Sequence, residues 1–320
     1  MKAAVYYRNG PPDVLQYEDV ADPEVRPNGV VVDVGAISIE GGDTLNRLGG
    51  ALASVPHIVG YQCAGTVREV GSGVTDLAVG QRVVCTMAFG SHAERVSVPA
   101  AATWAVPDGL DLVDAACVPI AFGTADDCLF EFGRLKAGET VLVQAGAGGV
   151  GLAAIQLAKR AGATVLATAS SDDKLERLSS YGLDHGINYS TSDFAEEARR
   201  ITGGRGVDLV VDSVGSTLPG SMRSLAYRGR ISYVGNAGRD SHPVDVAGLM
   251  QGNQSITGVF LGAELAVGGR ARENIARLLA DVAAGDLTVV VDRTFPLAEA
   301  AAAHAYMEDR RAFGRVVLVP

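Results

Sequence analysis

The run Ala145-Gly146-Ala147-Gly148-Gly149-Val150-Gly151 sets Gly146, Gly148 and Gly151 in the spacing GxGxxG. It follows an apolar strand expected over 140–144 and opens a helix expected over 150–161, closed by Gly162. Amides at the first turn of a helix lack intrahelical partners and sit at the positive end of its dipole, so they bind anions. Between a strand and a helix, this spacing is the fingerprint of a dinucleotide diphosphate site. Gly146 is read as the tight turn, Gly148 as the approach of backbone amides to the diphosphate, and Gly151 as the close helix–strand contact. Ala147, Gly149 and Val150 complete the cradle. The next strand, 164–169, ends without the acid that an NAD site uses on its ribose hydroxyls. Ser170, Ser171 and Lys174 follow and can hold a 2′-phosphate, so the expected cofactor is NADPH. Asp172 and Asp173 come later, in a first helical turn that suits their charge.

Two styles of chain position these residues. From residue 1 to about 120, short apolar runs at 30–37, 65–70, 82–86 and 94–98 alternate with Gly, Pro, Asp and Ser turns, which predicts a partly closed β-barrel with little helix. A helical stretch at 124–132 marks the change. Strands are then expected at 140–144, 164–169, near Ile187, and at 207–212, 230–234 and 255–260. Helices at 150–161, 172–180, 194–201, 218–226 and 270–284 are interleaved with them. Alternating buried strands and helices mean a parallel, doubly wound sheet with right-handed crossovers. The tail, with a strand at 289–292, a helix at 297–309 and a strand at 315–319, is expected to pack back on the first domain. The domains are therefore read as 1–122 completed by 290–320, and 123–289.

Composition narrows the function. A net charge of −10 with no Lys/Arg stripe disfavours nucleic acid. The first residues lack the pattern of a signal peptide, and no apolar run is long enough to span a bilayer. Cys63, Cys85, Cys117 and Cys128 form no CxxC pair and are read as buried free thiols of a cytoplasmic protein. No Ser/His/Asp pattern supports a hydrolase.

Several further motifs accompany the glycine loop: 134–143 as its lead-in, Gly186-Ile187-Asn188-Tyr189, 203–208, Asp212-Ser213-Val214-Gly215, and the ending 312–318. Together with Gly60-Tyr61-Gln62-Cys63-Ala64-Gly65 near the front, they resemble the zinc-independent medium-chain dehydrogenases/reductases, in the quinone oxidoreductase and enoyl reductase branch. The resemblance spans the whole chain. It implies an α/β protein, a GroES-like β-barrel domain plus a Rossmann doubly wound parallel-sheet domain, with the nicotinamide in the cleft between them. It also implies that Tyr189 flanks the adenosine and its phosphate, that Thr124 meets the nicotinamide region, that Arg315 of the family ending belongs to the cofactor site, and that strand edges around 255–260 pair in a homodimer.

The resemblance also locates where zinc-dependent relatives hold their metal. Those positions are Glu40, Tyr61 and Ile120, which do not make a tetrahedral nitrogen and sulfur site, so no metal is expected. Without a Lewis acid, the chemistry that suits the chain is hydride transfer to a quinone or an α,β-unsaturated carbonyl, which spreads the incoming charge as a phenolate or enolate. Such an enzyme needs a proton source. Tyr61 is a candidate donor or oxyanion partner, with a packed turn aromatic as the bland alternative. Glu40 is a candidate general acid if buried and neutral; otherwise it pairs with a base, for which Arg47 is the expected partner. Asp43 and Arg47 are read as a structural pair. His57, His92 and His304 are read as bland. The rival of another class is a non-catalytic, crystallin-like NADPH-binding protein.

Overall fold

A computed structural model describes residues 1–240 and 244–320. The chain divides into two compact units, Met1–Ile120 with Gly262–Pro320, and Ala121–Leu261. The first unit begins with β1 (Lys2–Tyr6), β2 (Gln16–Asp19), β3 (Gly29–Ser38), α1 (Gly41–Gly49), β4 (His57–Ile58), β5 (Gln62–Val70), β6 (Arg82–Thr86), β7 (Arg95–Pro99) and β8 (Thr103–Ala105). The helix α2 (Leu112–Asp126) follows, and the next turns, Asp127–Glu131, widen to a π-helix. The second unit contains β9 (Thr140–Val143), α3 (Gly149–Arg160), β10 (Thr164–Ala169), α4 (Asp172–Ser179), β11 (His185–Asn188), α5 (Phe194–Ile201), β12 (Val207–Asp212), α6 (Leu218–Ser224), β13 (Leu225–Tyr233), α7 (Val246–Gln251) and β14 (Ser255–Gly258). Then come α8 (Leu261–Val267), α9 (Arg270–Ala283), β15 (Val291–Pro296), α10 (Ala300–Glu308) and β16 (Arg315–Val319).

The second unit is the expected doubly wound sheet. Its strands run in the order β11-β10-β9-β12-β13-β14, all parallel, so the order reverses between β9 and β12. Leu142, Leu166, Val210 and Ile231 from four of these strands meet in one buried cluster, as strands covered on both faces require. The first unit is β-rich. A seven-stranded sheet, β15-β16-β3-β5-β6-β8 with β7 also on β3, stands beside a three-stranded sheet β2-β1-β4. The tail docks as expected: β16 pairs antiparallel with β3, at Val317 opposite Ser38 and Leu318 opposite Ile37.

Two expectations change. The helix α1 lies in a region read as having little helix. Gly41, Gly42 and Gly49 are poor helix formers and hide it. Local hydrogen bonding starts it all the same, since the Glu40 amide donates to Asp43 Oδ2 at 2.8 Å. The second change concerns 262–289, assigned on sequence to the nucleotide domain; it clusters with the first unit. Trp104 Nε1 donates to the Arg272 carbonyl at 3.0 Å, Arg272 donates to the carbonyls of Ala101 and Thr103 at 2.5 and 2.9 Å, and its guanidinium lies 5.0 Å above the Trp104 ring. These contacts fasten α9 to the β7–β8 region.

Candidate active site

The glycine loop joins β9 to α3 as the spacing requires. The left-handed residue of the turn is Ala145, with φ 53°, and not Gly146. Gly146 serves close packing instead: its amide donates to the Thr168 carbonyl at 2.8 Å, and a Cβ there would lie 2.8 Å from that of Ala167. A Cβ on Gly151 would come within 2.4 Å of the Ala145 carbonyl oxygen, so the helix meets the turn only because that residue has no side chain. Gly148 is the N-cap of α3 and offers no side-chain oxygen to the first amides. Gly149, Val150 and Gly151 thus open a helix whose first amides receive no side-chain cap. Ala147 is buried beside them.

The residues expected at the 2′-phosphate gather at the carboxyl ends of β10 and β11, which pair at Ala169 opposite Asn188. Ser171 caps α4, its Oγ accepting from the Lys174 amide at 3.4 Å. The Ser170 carbonyl accepts from Ser190 Oγ at 2.9 Å, and Tyr189 is 43% exposed. Asp172, the nearest acid, accepts from Asn188 Nδ2 at 2.8 Å and is directed toward that amide. Ser170, Ser171 and the exposed ring of Tyr189 thus lie at one end of the sheet, with Lys174 in the first turn of α4. Thr124 lies buried on α2 in the same unit.

The second constellation belongs to the first unit. Glu40 sits at the end of β3 and the start of α1, almost fully buried. Its Oε1 accepts from Gln62 Nε2 at 2.5 Å and from Arg315 Nη2. Arg315 also donates to Ser38 Oγ at 2.6 Å and to the Ile39 carbonyl at 2.8 Å, and Gln62 Oε1 accepts from the Ile120 amide at 3.0 Å. Burial pushes the Glu40 carboxyl up from its ordinary value, against the pull of Arg315, Gln62 and Ser38. Two expectations are revised by this geometry. The base on Glu40 is Arg315, from the last strand, and not Arg47. The guanidinium of Arg315, expected at the cofactor, is committed to Glu40, Ser38 and Ile39.

Tyr61 enters β5 from Gly60, whose φ is 115° and whose missing Cβ would collide with Ser91 Oγ at 1.9 Å and His92 Nδ1 at 2.3 Å. The half-buried phenol lies over Gly42, where a Cβ would stand 2.5 Å from its Cε2 and 2.8 Å from its hydroxyl. Burial, then the neighbouring Asp43, pushes the phenol up to about 12. Asp43 is fully buried and its Oδ1 has no hydrogen-bond partner among the described residues. Burial, with the charge of Glu40 added, raises its carboxyl well above the usual range and favours the protonated form.

Asp43 and Arg47 do not pair. Arg47 donates to the Gly10 carbonyl at 3.0 Å, to Glu308 Oε1 at 2.5 Å and to His304 Nδ1 at 3.0 Å. Because a guanidinium only donates, His304 Nδ1 accepts, so a neutral His304 carries its proton on Nε2 and gives it to His92 Nε2, 3.0 Å away. This buried chain, which sequence reading missed, ties α1 and α10 to the loop under Tyr61. Its members stand 257 and 212 residues apart, and no local pattern announces them. His57 belongs to β4, its ring edge-on to Tyr6 and Phe89.

This geometry can be set beside known proteins. The family described as Alcohol dehydrogenase GroES-like domain matches residues 26–108, and the family described as Zinc-binding dehydrogenase matches 149–281. The chain is similar to a 2-haloacrylate reductase of a Burkholderia species, 38% identical over 328 residues, covering 99% of this chain and 98% of that protein. The chain belongs to the zinc-independent medium-chain dehydrogenases/reductases. Within this family it is also similar to a quinone oxidoreductase of Pseudomonas aeruginosa, 34% identical with 97% of each chain covered. The solved structure of an Escherichia coli quinone oxidoreductase complexed with NADPH has a TM-score of 0.93 and 30% identity, with 100% of both chains covered. The zinc in one family description does not transfer to these side chains. Of the positions where zinc-dependent members of the family keep their ligands, Glu40 is taken by Arg315 and Gln62, Tyr61 is a phenol of raised pKa, and Ile120 has no donor atom.

Proposed function

We propose that this chain is an NADPH-dependent oxidoreductase that reduces a quinone or an α,β-unsaturated carbonyl by hydride transfer without a metal. The observation that carries the reading is the Glu40, Tyr61 and Ile120 set. It cannot bind zinc, yet it presents a seated phenol beside a buried ion pair. NADPH, when bound, supplies the hydride. The amides that open α3 hold its diphosphate, with Gly146, Gly148 and Gly151 giving the room. Ser170, Ser171, Lys174 and Tyr189 take the 2′-phosphate end. Tyr61 holds a proton at Oη and gives it to the oxygen or carbon that becomes basic as the acceptor is reduced; a phenol raised to about 12 stays protonated at neutral pH. Glu40 acts through its ion pair: with Arg315 and Gln62 it fixes the end of β3 and the start of α1, so that Gly42 seats the phenol.

The relatives named as a 2-haloacrylate reductase and as quinone oxidoreductases support catalysis over the crystallin-like alternative. Two finer readings are part of the proposal. A homodimer through β14 is supported by that strand's place at the end of the sheet, with only β13 beside it among the described residues, and by exposed Val246, Met250 and Phe260. A cytoplasmic location is supported by four buried free cysteines.

Steady-state oxidation of NADPH with 1,4-benzoquinone, 9,10-phenanthrenequinone and a short enone tests the function, and product analysis separates quinone from C=C reduction. No turnover on any of them would overturn the reading. Tyr61→Phe is expected to lower kcat about 100-fold and to leave NADPH affinity unchanged. Unaltered turnover on every accepted substrate would remove Tyr61 from the mechanism.

A further inference from the structure

In an open α/β sheet the ligand crevice lies outside the carboxyl ends of the strands, where their order reverses. Here that point is between β9 and β12. Its floor is a line of buried polar groups whose hydrogen bonds all run one way. Asp212, at the end of β12, is fully buried, and its carboxylate only accepts. Ser221 Oγ donates to Asp212 Oδ2 at 2.8 Å. With that hydrogen committed, the Ser221 oxygen accepts from Gln144 Nε2 at 3.2 Å, which fixes the orientation of the Gln144 amide. The amide oxygen of Gln144 accepts from Thr168 Oγ1 at 2.8 Å. The Thr168 oxygen in turn accepts from the amide of Ala145, at 3.1 Å, the left-handed residue that begins the cofactor loop. The other Asp212 oxygen accepts from the amides of Val214 and Gly215, each at 3.0 Å, and so orders the loop that leaves β12.

We propose that Gln144 is a positioning residue for the nucleotide. It connects the carboxylate at the end of β12 to the first amide of the β9–α3 loop, and sets both walls of the crevice before the nucleotide arrives. The proposal rests on the NADPH reading above and adds a residue that makes no contact with the cofactor. Three features support it. Every proton in the line is assigned by chemistry, so no member can turn without leaving a buried group unpaired. Gln144 joins the two halves of the line, since Thr168 and Ser221 bond to opposite ends of its amide. A left-handed Ala145 is uncommon for a residue with a Cβ and needs an external hold. A loop fixed in advance avoids the ordering entropy that binding otherwise has to overcome.

The test is NADPH titration calorimetry on the full chain. Gln144→Leu keeps an apolar stem one atom shorter and deletes both polar ends. It is expected to raise the Kd for NADPH about 10- to 100-fold while kcat at saturating NADPH stays within about threefold. Amide exchange over 145–150 is expected to quicken in the same variant. Thr168→Val removes a single hydroxyl at nearly constant shape, is expected to move the Kd in the same direction by less, and decides the matter if Gln144→Leu does not fold. A folded variant of either kind that binds NADPH as tightly as the parent overturns the proposal. A parent that does not bind NADPH overturns instead the cofactor reading on which it stands.

Discussion

The glycine loop at 145–151 and the polar set around Glu40 and Tyr61 are built on opposite plans. The loop makes its site from backbone, and seven consecutive residues hold nearly all the information. The polar set makes its site from side chains, and each member depends on a partner far along the chain. Glu40 needs Arg315, 275 residues later, and Arg47 needs His304, 257 residues later. A backbone site is thus fixed by spacing, whereas a side-chain site is fixed by topology and becomes readable only once the strands are placed.

The sharpest way to break this comparison is to remove the distant partner. Arg315→Leu leaves Glu40 buried without its cation, and we expect a loss of about 3–5 kcal/mol in unfolding free energy by urea titration. A loss under about 1 kcal/mol would mean that Glu40 goes neutral without cost and that the ion pair does not hold the site. The local plan is tested at Gly151. A Cβ within 2.4 Å of a backbone oxygen has nowhere to go, so Gly151→Ala is expected to weaken NADPH binding about 100-fold with less effect on the first unit's melting. Equal affinity in that variant would show that the loop is not a tight cradle.

The smallest expected effect concerns protons. Burial lowers His92 from 6.5 to about 3 and takes His304 well below its usual value. The native state therefore keeps these rings neutral where the unfolded chain protonates them. Their contribution is complete above the unfolded pKa near 6.5 and is lost as pH falls through the window down to the folded value. Asp43 and Glu40, raised by burial, act in the opposite sense, so the difference between proteins is what matters. His92→Gln keeps an acceptor for His304 and removes one titration. The slope of unfolding free energy against pH, between 4 and 6, is expected to fall by about 1.4 kcal/mol per pH unit. Parallel slopes for parent and variant would show that His92 does not stay neutral.

Much of the fold was legible in the sequence. The six parallel strands follow from apolar runs, and the return of the tail to the first unit follows from its change of style. The helix α1 was not legible, because its glycines mimic a loop and its start depends on the Glu40 amide meeting Asp43. The boundary near 262 was not legible either, since it rests on Arg272 meeting Trp104 across 168 residues. At the site, the glycines and the missing acid after β10 could be read directly. The partner of Glu40 could not, since nearness in sequence pointed to Arg47.

The arginine on β16 also has a consequence during synthesis. The ribosome makes the glycine loop and every strand of the nucleotide sheet before it reaches codon 315, so Glu40 waits for its counterion through the whole synthesis of that sheet. The frame around Glu40 therefore closes only after β16 is made, later in translation than any strand of the nucleotide sheet.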